Sequence, residues 1–447
     1  MVNRTIGHEV TSVNYLGDWG TQFAMIAAFW PQMRPSDQYW NSLSEMEKVK
    51  QLTDCYVVAN KNMKIDEEFR AKVYETFVAM EKSVMSGEWE NDENMQLWEQ
   101  IKQISRNHLF KFYNIFNIQF DQWLSESGQV RRAHQCAQEL IDKGLTENLD
   151  GRTIIQLREG AETGEKKKLD GANYAILRKS DQSSLYLTRE IAAIIDRDAK
   201  FQADRYLYVV DRAQRQHFQA LKLILEKMGR SELADKIEHV QYGRVRGLST
   251  RNGRTESVGE IIGKGRELAL QFMKSSKTFC MDPQVEKEIA NVLSLSTVVF
   301  NELKRARNSE YEFSFQNAFA LNQNNALALQ MKHSRLSSIE EKHAHLLPLV
   351  EKCETFPDFH EDDVKRLIRL LNDIEEAVEL SAEKLEPCQL TVQLIHVASV
   401  VGKVQKQLRV KDQPEEVAVP RLLLFSTVRN VLAEGLRFLG ITPTRSM

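Results

Sequence analysis

Apolar positions along this chain keep two different periods. Residues 1–24 read as the last turn of a helix stopped at Gly7, a strand through Val13 and Tyr15, and a sharp turn at Gly17-Asp18-Trp19-Gly20. From 42 to 116 apolar residues recur at helical spacing. DEEFRAKVYETFVAMEKSV (66–84) and MQLWEQIKQISRNHLFKFYNIF (95–116) each predict an amphipathic helix. Between 152 and 210 the period shortens. The runs 153–157, 174–177 and 206–210 predict short buried strands, with helices over 188–197 and 214–228. Strand, helix, strand, helix in that order predicts a parallel sheet with crossover helices. After about Pro283 the strand pattern stops. Five long amphipathic segments follow and predict a separate helical bundle over 286–447.

Composition adds limits. The chain has 447 residues, 42% of them hydrophobic and 28% charged, which suits a globular protein of two or three domains. No apolar run approaches the roughly 20 residues of a membrane helix, so no membrane partner is expected. The five cysteines, Cys55, Cys136, Cys280, Cys353 and Cys388, are scattered and form no CxxC pair. That predicts free thiols in a reducing compartment and no zinc module. A net charge of −3 neither requires nor excludes a nucleic-acid partner, because a local basic patch can still hold phosphate. The three lysines of GEKKKLDG (164–171) read as an exposed turn.

Four stretches carry candidate chemistry. LGDWGTQF (16–23) leaves a strand through two glycines; alone it reads as a packed turn. In SSLYLTREIAAIIDR (183–197) Thr188 is a candidate N-cap, and Tyr186 and Glu190 stand four apart, on one face if the helix reaches back that far. A phenol beside a carboxylate suits a cationic ligand, but spacing alone equally makes Glu190 a first-turn acid favoured by the helix dipole. After the strand 206–210, Asp211 and Gln214 stand at a carboxyl end, where ligands of open sheets bind. His217, one turn on, reads equally as a packing histidine, and no second His or Cys stands at ligand spacing, so no protein-bound metal is expected. GRVRGLSTRNGRT (243–255) combines glycines, hydroxyls and arginines as a phosphate-holding loop would, and also as an ordinary surface loop would.

Taken together and in order, these stretches resemble arginyl-tRNA synthetase, a class I aminoacyl-tRNA synthetase, and most closely its mitochondrial-type members. LGDWGTQF resembles the family's GDWGTQFG, with Ala24 in place of the last glycine. KSDQSSLYLTREIAAIIDR resembles KSDG-S-YLTRD-AA--DR. GLSTRNG resembles the GM(S/K)TR-G loop that stands in for KMSKS. The C-terminal VPRLLLFSTVRNVLAEGLRFLGITPTRSM resembles the last helix of the anticodon-binding domain.

The resemblance implies a Rossmann-like parallel-sheet catalytic domain over 1–285, with a helical insertion at about 35–118 and a mobile ATP loop at 243–254. It implies an all-α anticodon-binding domain over 286–447. The implied activity is that of an arginine–tRNA ligase: ATP activates arginine, and the 3′ end of tRNA(Arg) receives it. The implied partners are arginine, ATP carrying Mg2+, and tRNA(Arg), in a monomer of the mitochondrial matrix, with the cytoplasm as the alternative. Tyr186, Glu190, Gln214 and Glu126 match arginine-binding positions. Glu190 stands where the family has Asp, and Ser125 replaces the glycine of the family's GES. Ser249, Thr250 and Arg251 match the loop that closes on ATP phosphates, with Arg251 as its main cation. Gly17, Asp18, Trp19 and Gly20 match the floor of the nucleotide site. Lys332, Arg335, Arg409 and Lys411 are candidate tRNA contacts. None of the ten histidines forms the family's HxGH motif, which lies upstream of the GDWG strand. The expectation is therefore a chain that begins within the nucleotide site, with low stability and slow or absent adenylation. A catalytically silent isoform that still grips tRNA is the alternative.

Overall fold

A computed structural model describes residues 1–157, 173–246, 258–274, 282–320, 324–353 and 359–447. The GEKKKLDG stretch and the triplet Ser249, Thr250 and Arg251 lie outside the described residues.

The chain opens with α1 (Val2–Thr5), β1 (Val13–Leu16) and α2 (Thr21–Met33). Four helices follow: α3 (Asp37–Ser42), α4 (Glu45–Ile65), α5 (Glu67–Ser86) and α6 (Glu93–Ile115). Their ends are written in the sequence. Ser44 and Glu47 form a reciprocal capping box at the start of α4, Asp66 caps α5 and Asp92 caps α6, each answering backbone N–H groups that a helix leaves unpaired. Their apolar faces close around Phe29, Trp30, Phe69, Phe77, Met80 and Trp98.

Next come β2 (Gln122–Ser125), α7 (Val130–Asp142), β3 (Glu147–Leu149), β4 (Arg152–Gln156), β5 (Tyr174–Arg178), α8 (Tyr186–Phe201), β6 (Tyr206–Asp211), α9 (Arg215–Lys227), α10 (Ser231–Lys236) and β7 (Ile237–Tyr242). β1 and β2 pair in parallel, Val13 opposite Gln122 and Leu16 opposite Ser125. β6 pairs with β7. The strands β4 and β5, expected in the parallel sheet, instead join β3 in an antiparallel one. For β3 and β4 the reason lies at Asp150-Gly151, where φ is 50° and 76°. Two left-handed residues make a two-residue hairpin turn, and such a turn returns the chain antiparallel. A second core packs α7, α8 and α9 on β4 and β5 through Leu140, Ile155, Leu177, Ile191, Ile194, Leu221 and Ile224.

The remaining elements are β8 (Val245–Arg246), α11 (Val258–Lys274), α12 (Pro283–Leu303), β9 (Tyr311–Glu312), α13 (Phe315–Ala318), α14 (Ala326–Lys342), α15 (Leu347–Val350), α16 (Asp362–Asn372), α17 (Ile374–Glu383), α18 (Cys388–Gln407) and α19 (Glu415–Phe438). The two-residue strand β9 pairs in parallel with β8, so strand structure does not end at Pro283. Contacts divide the chain into two compact units, one of Thr11–Val240 and one of Met1–Val10 with Gln241–Met447. The second holds a large apolar core of Leu390, Leu394, Val397, Val401, Leu422, Phe425, Val428 and Leu432.

Candidate active site

The turn after β1 is fixed from within. Gly20 has φ +146°, where a side chain is strained, and it stands as the N-cap of α2. Asp18 is buried, and its carboxylate accepts the Ser127 backbone N–H at 2.9 Å and the Ser127 hydroxyl at 2.7 Å. The Lys102 ammonium stands 3.6 Å from the same carboxylate. Trp98 donates its indole N–H to the Asp18 carbonyl at 2.7 Å. Trp19 turns into the helical core, edge-on to Trp98 at 5.3 Å. Asp18 and Trp19 therefore use their side chains to lock the turn to the segment just after β2 and to the inserted helices. Gly17 is next to Glu126: a Cβ there would stand 4.0 Å from Glu126 Oε2.

Helix α8 begins at Tyr186, one residue after the N-cap Leu185. Thr188 is not the N-cap. Its hydroxyl donates to the Leu177 carbonyl at 2.7 Å and ties the first turn to β5. The approach to α8 is held by buried Glu81 on α5, which accepts the Ser184 N–H at 2.6 Å and lies 2.6 Å from His134 Nε2. Arg189 donates from Nη1 to the Ser184 carbonyl and hydroxyl, and from Nε to Glu126 Oε1 at 2.9 Å.

Tyr186 and Glu190 occupy the first turns of α8, as the four-residue spacing predicts, but they face different surroundings. Tyr186 is 56% exposed and stacks on His217, ring centroids 5.0 Å apart at 28°. Glu190 is 8% exposed, and its Oε1 accepts both Arg197 Nη1 at 2.7 Å and the Tyr208 hydroxyl at 3.0 Å. No partner of Oε2 is found among the described residues. Burial lowers the His217 pKa, while the Glu190 charge pulls the other way. Gln214 is exposed at the N-cap of α9, in the short turn that leaves β6.

Sequence reasoning missed Arg197, Tyr208 and Tyr15. The Arg197 guanidinium carbon lies 4.3 Å from the Tyr15 ring centre and 5.6 Å from that of Tyr208. Burial and the Glu190 charge push both phenols well above their ordinary range, and burial works against the Arg197 charge while the Glu190 carboxylate favours it, so that its pKa is raised. A signal existed: Glu190 and Arg197 are seven apart on one helix, hence on one face. The result is two buried acids, Asp18 and Glu190, and a half-buried one, Glu126, each with a resident cation, Lys102, Arg197 and Arg189 respectively. Such a site can take a further cation only through oxygens these residents leave open. Burial raises the Glu126 pKa despite Arg189.

In the helical unit, Lys332 is half-buried on α14, and burial first, then the charges of Arg335 and Lys406, lower its pKa. Arg335, Arg409 and Lys411 are exposed; the Arg409 carbonyl accepts from Arg421, and Lys411 pairs loosely with Asp412 at 3.9 Å. Among the described residues, no group of three or more His, Cys, Asp or Glu could hold a metal ion, and no helix is long and apolar enough to cross a membrane.

Residues 2–315 match the family model for the catalytic domain of class I tRNA synthetases (R), and 329–447 match that for the DALR anticodon-binding domain. The parallel-sheet unit and the helical unit together define a class I aminoacyl-tRNA synthetase. The chain is 30% identical over 451 residues to a probable mitochondrial arginine–tRNA ligase of Mus musculus, covering all of this chain and 73% of that protein. It is also 30% identical to the cytoplasmic arginine–tRNA ligase of Saccharomyces cerevisiae, covering 99% of this chain and 71% of that one. The solved arginyl-tRNA synthetase of Thermus thermophilus shares the fold, with a TM-score of 0.74 at 20% identity over the whole chain and 77% of that structure. Within its class, this chain belongs to the arginyl-tRNA synthetase family.

Proposed function

We propose that this chain is an arginine–tRNA ligase that activates arginine with ATP and transfers it to the 3′ end of tRNA(Arg). The observation that carries the reading is Glu190. It is a buried carboxylate held at one oxygen, one helical turn from exposed Tyr186, which stacks on half-buried His217, at the head of a helix whose sequence follows the arginyl family pattern. A planar guanidinium with a fork of donors suits a carboxylate edge and an aromatic face.

In this reading Tyr186, Glu190, Gln214 and Glu126 hold arginine. The turn at Gly17, Asp18, Trp19 and Gly20 forms the floor of the nucleotide site. Ser249, Thr250 and Arg251 close on the ATP phosphates, with Arg251 stabilising charge on the transferring phosphoryl group; these three lie outside the described residues. Arginine's carboxylate attacks the α-phosphate, pyrophosphate leaves, and the terminal ribose hydroxyl of tRNA then takes the arginyl group. Magnesium arrives with ATP. Residues 1–285 form the catalytic domain, with the mobile loop at 243–254 and the insertion at about 35–118. Residues 286–447 read the anticodon arm, with Lys332, Arg335, Arg409 and Lys411 as candidate phosphate contacts. We place the protein in the mitochondrial matrix, a reading supported by the mitochondrial names of relatives, and as a monomer, which the family resemblance implies; a cytoplasmic relative of equal identity keeps the cytoplasm as the alternative.

The test is ATP–pyrophosphate exchange by the purified chain. Exchange is expected only with arginine and tRNA both present, and Glu190→Gln is expected to lower it about 10- to 100-fold, the range for losing one charge-assisted hydrogen bond. Steeply salt-dependent tRNA binding without exchange would instead make the chain a silent RNA-binding protein.

A further inference from the structure

Glu190 already has a guanidinium on it. Arg197 sits in a cage made of the Glu190 carboxylate, the Tyr208 hydroxyl and the faces of Tyr15 and Tyr208. The hydroxyl accepts from Arg197 at 2.8 Å and donates to Glu190 at 3.0 Å, so the three groups close a triangle. Arg197 is 8% exposed, yet its Nε and Nη2 find no hydrogen-bond partner among the described residues. A guanidinium that only stapled the helix would leave few donors idle in the interior, because each buried orphan is destabilising. The cage has the chemistry expected of a pocket for free arginine: a carboxylate edge, a phenol and aromatic faces.

We propose that Arg197 is a positioning residue that fills an inner guanidinium cage and so confines the substrate's guanidinium to the outer oxygen of Glu190. This rests on the reading that the site binds arginine. With the inner cage filled, arriving arginine meets Oε2 and stops there, which holds its carboxylate at a fixed depth from the reacting phosphate. An ångström of depth matters, since attack needs the reacting atoms in near contact. Removing Arg197 has two consequences. A like charge beside the substrate disappears, which favours arginine binding. The empty cage then draws the substrate inward, which separates its carboxylate from its target.

The test compares the full chain with Arg197→Ala, using labelled arginine in equilibrium dialysis and free guanidinium or urea as competitor. Arg197→Ala is expected to bind arginine as tightly as the parent or up to about tenfold more tightly. Guanidinium is expected to displace arginine at least about tenfold better than in the parent, while urea, the uncharged isostere, displaces it in neither. In pyrophosphate exchange, kcat and KM are expected to fall together, the signature of tight but unproductive binding. Arg197→Gln, which keeps most of the volume and loses the charge, is the second variant should Arg197→Ala fail to fold, and it too is expected to bind arginine at least as tightly. Weaker arginine binding in the variant that folds, or equal competition by guanidinium and urea, overturns the proposal and leaves Arg197 a structural staple. A parent chain that binds no arginine overturns the functional reading itself, a result distinct from a parent that binds and variants that match it.

Discussion

Helices α8 and α19 are both deeply buried, and they are buried differently. The buried face of α8 includes Arg189, Glu190 and Arg197 among Ile191, Ala192, Ile194 and Ile195. That of α19 is Ala418, Leu422, Leu424, Phe425, Val428, Leu432, Ala433, Gly435 and Leu436, without one charged group. Burying an ion costs several kcal/mol unless it is paired and hydrogen-bonded, whereas an apolar face gains roughly 25 cal/mol for each Å² removed from water. A helix built only for stability follows α19. The charged interior of α8 is an arrangement that stability alone would not select, and its Glu190 retains an oxygen with no partner among the described residues. The lesson is that the candidate site is marked by the composition of its buried face more than by its exposed one.

The contrast breaks most easily at Arg189. Arg189→Met removes a buried cation and leaves half-buried Glu126 unpaired, and unfolding by urea is expected to show a loss of about 2–4 kcal/mol. A loss under about 1 kcal/mol would mean that the charges of α8 are solvated and the comparison is void.

A smaller effect sharpens the other side. Gly435 packs so closely on α18 that an added Cβ would stand 2.5 Å from Leu394 Cδ2. Gly435→Ala is expected to cost about 1–3 kcal/mol through overpacking, although alanine favours helix more than glycine does. A stabilised variant in thermal unfolding would show that this apolar seam is loose.

The smallest effect concerns a polar exception in the helical unit. His333 is buried, and its ring nitrogen Nδ1 lies 2.7 Å from the Thr444 carbonyl, while Gln330 accepts the Thr444 N–H at 2.8 Å. Burial holds the His333 pKa below its ordinary 6.5, against the pull of that carbonyl. A base with a lowered folded pKa contributes stability that is complete above 6.5 and is lost as the pH falls from there through its folded value. His333→Gln is expected to reduce that acid sensitivity in denaturation midpoints measured across pH 6.5. An unchanged pH profile would place the imidazole in solvent contact.

Much of the fold was legible because it is local. The capping box at Ser44 and Glu47, the long amphipathic helices and the Gly17–Gly20 turn all follow from residues within a few positions of each other. The strands β4 and β5 were found, but their direction was misread. A signal for the β3–β4 reversal, Asp150-Gly151, is present in the sequence, while the alternation of strands with helices points to a parallel sheet. Tyr186 and Glu190 were legible as one helix face. Their differing environments were not, because the stack under Tyr186 comes from α9 and the hydroxyl on Glu190 comes from β6.

The sequence by itself determined where helices begin and end, which faces are apolar, and, through ordered motifs, the family. The tertiary structure alone decided which partner meets each acid across the chain: Asp18 with Ser127, 109 positions away, Glu126 with Arg189, and Glu190 with Tyr208. The physical reason is range. Helix periodicity and capping are settled within a few residues of chain, but the cost of a buried charge is set by whatever the fold brings within about 4 Å of it, and that is a property of the packed molecule.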